Sequence, residues 1–160
     1  MPSYFFLRED YEALCGRIQD LVTERKRVGK VMGESTRQGA ETFHDNAPFD
    51  AARDQFGLVS TRLGELVRMR ENARILGEAD FVTGQVGFGR VITTLNLGTK
   101  EEQRWQIGSY RAFAERPDDG PKPLSYTAPL ARLLRGAIEG EEREGKIGGK
   151  MRRFKIVKIE

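Results

Sequence analysis

The chain has 160 residues, 38% of them hydrophobic and 32% charged, with a formal net charge of +3. That is enough for one ordinary domain or two small ones, and the balance is that of a soluble protein. No apolar run approaches the roughly 18–20 residues of a membrane span, and a charge of +3 is too mild to mark a nucleic-acid binder by itself. The single Cys15 excludes an internal disulfide, which suits a cytoplasmic protein, and its place beside Leu14 makes it a small packing residue. Phe5-Phe6-Leu7 is too short for a signal-peptide core.

The first element is a helix starting near Arg8-Glu9-Asp10, where acids suit the positive end of the helix dipole, and ending at Gly39. Leu7, Tyr11, Leu14, Ile18, Leu21, Val28, Met32 and Ser35 recur at steps of three and four, with Arg25 interrupting. After residues 39–50 the series resumes as Phe49, Ala52, Phe56, Val59, Leu63, Leu66 and Ala73, with Arg70 interrupting. One apolar seam per helix is a coiled-coil pattern, and so short a connector permits only an antiparallel return. Folding back about Thr42 sets Val28 against Phe56, Leu21 against Leu63, Ile18 against Leu66 and Met32 against Ala52. Asp45 or Asn46 can cap the returning helix, with Pro48 in its first turn, and Gly77 ends it. Residues 1–76 therefore read as a helical hairpin whose tip, near 41–46, carries Glu41, His44 and Asp45. A lone His44 is a polar tip residue and no metal site. Arg25 and Arg70 send their heads to water. Arg25-Lys26-Arg27 and Lys30 read first as a solvated face.

Residues 77–82 form a linker, after which the period changes to two. Residues 90–97 read as a strand, 98–100 as a turn and 104–110 as the returning strand, with Trp105 and Tyr110 serving the sheet core. Residues 116–123, with Pro117, Gly120 and Pro121, are a loop. Leu124-Ser125-Tyr126 is a short strand, and Pro129 and Gly136 bracket a short helix. Residues 143–147 and 152–159 pair across Gly148-Gly149, a turn and not a phosphate loop, because no helix follows. The fold class is α+β: an antiparallel helical hairpin followed by a small antiparallel sheet, residues 83–160, with one short helix.

Three stretches together resemble the bacterial transcript-cleavage factor family GreA/GreB. They are Leu7-Arg8-Glu9-Asp10-Tyr11-Glu12-Ala13-Leu14; Asp45-Asn46-Ala47-Pro48-Phe49-Asp50-Ala51-Ala52; and Leu124 through Gly136 with the closing strand 153–160. The resemblance implies that residues 83–160 form an FKBP-like domain that binds RNA polymerase at the rim of its secondary channel. Ser125, Tyr126, Pro129, Leu130 and Arg132 are the contact residues it implies. It implies that the hairpin enters the channel, close to the nascent RNA and the DNA. There tip carboxylates, Asp45 and Glu41, help the polymerase active site hold a second Mg2+ shared with the protein. The chain would then be a monomeric helper of the polymerase's hydrolysis and no free-standing enzyme.

The family tip carries two acids three residues apart, whereas here Thr42 stands three residues before Asp45, and Glu41 is one residue early. Two alternatives stay open beside transcript cleavage. One is a channel-occupying regulator or inhibitor that does not cleave. The other is a prolyl isomerase or chaperone built on residues 83–160, which would need an aromatic cluster around a pocket.

Overall fold

The computed structural model describes residues 3–39 and 47–160. In chain order the elements are β1 (Tyr4–Phe6), α1 (Arg8–Gly39), α2 (Ala47–Glu71), β2 (Ala73–Ile75), a 3-10 turn (Glu78–Asp80), β3 (Val91–Asn96), β4 (Glu102–Gly108), β5 (Lys122–Ser125), α3 (Pro129–Leu134), β6 (Glu142–Ile147) and β7 (Lys150–Ile159). They form two compact units, one of Ala13–Asn72 and one that joins Met1–Glu12 to Ala73–Glu160. The opening dozen residues thus go with the sheet and not, as the sequence suggested, with the hairpin.

In the helical unit the seam forms as its spacing predicts. Leu14, Ile18, Leu21 and Val28 of α1 are buried, as are Ala52, Val59, Leu63 and Leu66 of α2. Each such side chain contributes about 1.5–3 kcal/mol by leaving water, and neither long helix would persist without that seam. The register also agrees with a fold-back about Thr42. A Cβ on Gly29 would lie 3.5 Å from the Phe56 ring. The guanidinium of Arg25 sits 5.1 Å from the centre of the same ring. Arg25 therefore interrupts the seam by lying over an aromatic face, a favourable cation–π position, in addition to reaching water.

Helix α2 stops at Glu71, short of the expected end near Leu76. The Asn72 side chain donates to the Arg68 carbonyl at 2.8 Å and closes the last turn. The next three residues are extended: Tyr4, Phe5 and Phe6 pair in parallel with Ala73, Arg74 and Ile75. An apolar run of this length suits a helix end or a strand equally, and only the distant partner chooses between them.

The second sheet has the order β5-β4-β3-β7-β6. Its pairings are antiparallel except for β4 with β5, which is parallel. The expectation of a wholly antiparallel sheet is corrected at this edge. Residues 109–121 separate the two strands, enough chain for the crossover that a parallel return requires. Gly148 and Gly149, at φ 60° and 81°, make the two-residue turn between β6 and β7. The buried face consists of Val86, Ile92, Ile107, Leu134, Ala137, Phe154 and Ile156, with Trp105 and Leu130 packed against it. The Trp105 indole donates to the Thr94 hydroxyl at 3.1 Å, which satisfies both buried polar groups. Tyr110 lies beyond the end of β4, where its ring meets Tyr4 at 4.7 Å and not the sheet core.

Candidate functional site

Residues 125–132 form a turn that delivers the chain into α3. The Ser125 and Thr127 hydroxyls are 2.9 Å apart, the Thr127 amide donates to Ser125 Oγ at 3.2 Å, and the Ala128 amide donates to the Ser125 carbonyl at 3.0 Å. Ala128 stands before α3 without a side-chain cap, and Pro129 takes the first helical position, where no amide hydrogen is needed. The five residues expected to contact a partner divide between two directions. Pro129 and Arg132 are exposed; Tyr126 and Leu130 pack against the sheet core, and Ser125 is held in the turn.

Beside this turn lies an open cavity of about 250 Å3. Val86, Ile107 and Ala131 floor it, Phe88 and Tyr126 wall it, and Val82 and Arg135 stand at its mouth. The Phe88 and Tyr126 rings meet edge to face at 5.4 Å. Phe5 packs on both, at 5.8 Å and 5.5 Å. The Phe5 amide donates to the Tyr126 hydroxyl at 3.4 Å. An aromatic cluster therefore does surround a pocket here. Sequence reading missed it because Phe5, Phe88 and Tyr126 lie far apart in the chain and share no periodicity.

A second polar centre was also not expected. Asp10, read as a first-turn helix acid, is completely buried in the sheet-bearing unit. Its carboxylate accepts from the Phe113 amide at 2.9 Å, the Ala114 amide at 3.0 Å, and two Arg116 nitrogens at 3.2 Å and 2.8 Å. The Ser109 hydroxyl donates to it as well and accepts from the Leu7 amide at 2.8 Å. Burial pushes the carboxyl's pKa up, but the hydrogen bonds from Arg116, Ser109 and the two amides outweigh it and hold the pKa below the usual value. Leu7, expected on the helical seam, is 5% exposed and lies against Gly108, where an added Cβ would come within 2.5 Å of its Cδ1. No local signal separates Asp10 from an ordinary N-terminal helix acid.

The tip residues Glu41, Thr42, Phe43, His44, Asp45 and Asn46 lie outside the described residues. Among the described residues, no three of His, Cys, Asp and Glu gather to hold a metal ion. No helix there is long and apolar enough to cross a membrane.

The family model for the C-terminal region of transcription elongation factor GreA/GreB matches residues 82–160. Transcription elongation factor GreA of Sulfurovum sp. is 31% identical over 139 residues, spanning 86% of this chain and 82% of that protein. The chain belongs to the GreA/GreB family of transcription elongation factors. GreA of Cereibacter sphaeroides is 30% identical over 154 residues, 95% of this chain and 97% of its own. Among solved structures, Gfh1 of Thermus aquaticus is 20% identical, covers 99% of each chain and has a TM-score of 0.45, a likeness too loose to carry function. The turn, α3 and the cavity all fall inside the region matched to GreA/GreB. The hairpin is reached only by the longer pairings with the GreA relatives.

Proposed function

We propose that this GreA/GreB elongation factor binds bacterial RNA polymerase through the surface around Ser125, Tyr126, Pro129, Leu130 and Arg132, and sends its hairpin into the secondary channel. There Asp45, with Glu41 beside it in sequence, promotes the polymerase's own cleavage of backtracked RNA. The observation that carries this reading is the pair of helices, 32 and 25 residues long, closed on one buried seam. At 1.5 Å per residue α1 is about 48 Å long, which suits carrying a carboxylate to a deep catalytic centre beside RNA and DNA. Asp45 and Glu41 would share a Mg2+ with the polymerase, because hard cations take oxygen ligands and hydrolysis of a phosphodiester needs its charge neutralised. The chain acts as a monomeric helper and not as a free-standing enzyme. A second reading, inhibition by occupying the channel, is favoured by one observation: Thr42 stands where the family spacing places the first acid.

Length analysis of transcripts from a purified, backtracked complex separates the two. Asp45→Asn keeps the shape of the side chain and removes its charge. Binding should survive while cleavage falls roughly 10²-fold, the scale of losing one charged group at a metal-assisted centre. Glu41→Gln should cost less, and Thr42→Asp should raise cleavage above the starting protein. If transcripts stay intact at every Mg2+ concentration while nucleotide addition slows, the occupancy reading is correct.

A further inference from the structure

We infer that the cavity between residues 82–88, Tyr126 and the end of α3 is a socket for one apolar side chain of a protein partner, flanked in that partner by acidic residues. On the reading above, which this inference extends, the partner is RNA polymerase. The cavity adds a specific anchor point to the broader contact surface of residues 125–132.

Its floor is dry and already built. Val86 is 1% exposed, Ala131 3% and Ile107 4%. Its wall is stiff, because the Phe88 and Tyr126 rings brace each other and both lean on Phe5. Preorganised apolar pockets of this kind are where a few anchors supply most of an interface's energy. At about 250 Å3 the cavity falls below the roughly 300–1,000 Å3 usual for small-molecule sites and suits a single Leu, Ile, Met or Phe side chain.

The charge at the mouth selects among such anchors. Arg135 lines the opening, and Arg132 precedes it by one helical turn on α3. Both are exposed, and among the described residues neither guanidinium has a carboxylate partner, although seven other arginines do. The Arg135 carbonyl, not its side chain, is engaged, by Arg143 at 3.4 Å. Two unneutralised guanidiniums beside an apolar cavity complement an apolar anchor with neighbouring carboxylates and disfavour a basic one.

The test is competition for bacterial core RNA polymerase by full-length variants, with circular dichroism and thermal melts on each. Ala131→Leu fills the floor from within, and binding should fall about tenfold or more while the fold is kept. Arg135→Glu changes only the mouth; it should weaken binding about three- to tenfold at low salt and less at high salt. A folded Ala131→Leu that competes like the unmodified chain overturns the proposal, as does an unchanged Arg135→Glu. If the unmodified chain does not bind polymerase at all, the functional reading fails instead. The socket is then judged by amide shifts on adding millimolar acetyl-Gly-Leu-Asp-Asp-Gly-amide. Shifts centred on Val86, Phe88, Tyr126 and Ala131 sustain it, and an unmoved spectrum removes it. Rapid cis–trans isomerisation of a prolyl peptide, abolished by Ala131→Leu, would make the cavity a catalytic site and overturn the binding role.

Discussion

The helical hairpin and the sheet-bearing unit bury polar groups to very different degrees. Along the hairpin's described residues the interior is apolar apart from Ser35. The other unit buries Asp10, Thr94 and Ser109. Its Asp10 centre ties the start of α1 to residues 109–116 through five donor groups. Apolar seams are non-directional and tolerate graded loss, whereas a buried ion held by several donors fails abruptly when one partner goes. The difference predicts which unit unfolds first under each kind of insult.

The harshest way to break the contrast is Asp10→Ala, which leaves the buried Arg116 guanidinium and two amides without an acceptor. It should destabilise the sheet-bearing unit by about 3–5 kcal/mol. Hydrogen exchange should show protection lost in β4 and β5 before the hairpin seam. Equal loss across both units would show that they do not unfold separately. The same carboxylate gives this unit an acid limit. Its folded pKa lies below the ordinary value of 3.8, so its stabilisation is complete well above that value and is lost as pH falls through the folded pKa. Denaturant midpoints of Asp10→Asn should therefore vary less between pH 5 and pH 2 than those of the unmodified chain.

On the hairpin side, Leu63→Ala removes a side chain that is 9% exposed and should cost about 2–4 kcal/mol. Combined with Leu21→Ala, the loss should be less than the sum, because the two are placed opposite each other. Strict additivity would mean that the register is displaced. Gly108→Ala drives a Cβ against Leu7 and should cost about 1–3 kcal/mol in urea titration, with no change in the hairpin. The smallest effect has the opposite sign. A Cβ at Gly29 meets the Phe56 ring at an ordinary 3.5 Å, so Gly29→Ala should stabilise the hairpin by about 1 kcal/mol in the same titration.

The hairpin was legible because its information is local: a residue's step from the last apolar one says whether it faces the partner helix, and Ile18, Leu21, Val28, Val59, Leu63 and Leu66 are all buried. The α+β class, the Gly148-Gly149 turn and the short helix after Pro129 could likewise be read from period and turn chemistry. Tertiary structure alone decided what depends on distant partners. Residues 73–75 became a strand and not a helix end because β1 lies alongside them. Asp10 became a buried anchor because Ser109 and Arg116 close over it, and β5 ran parallel because residues 109–121 carry the chain across. Phe5, Phe88 and Tyr126 became one wall for the same reason, since side chains so far apart in sequence meet only once the sheet has formed. Periodicity records which face of an element is apolar, and it carries no record of which remote residue will cover that face.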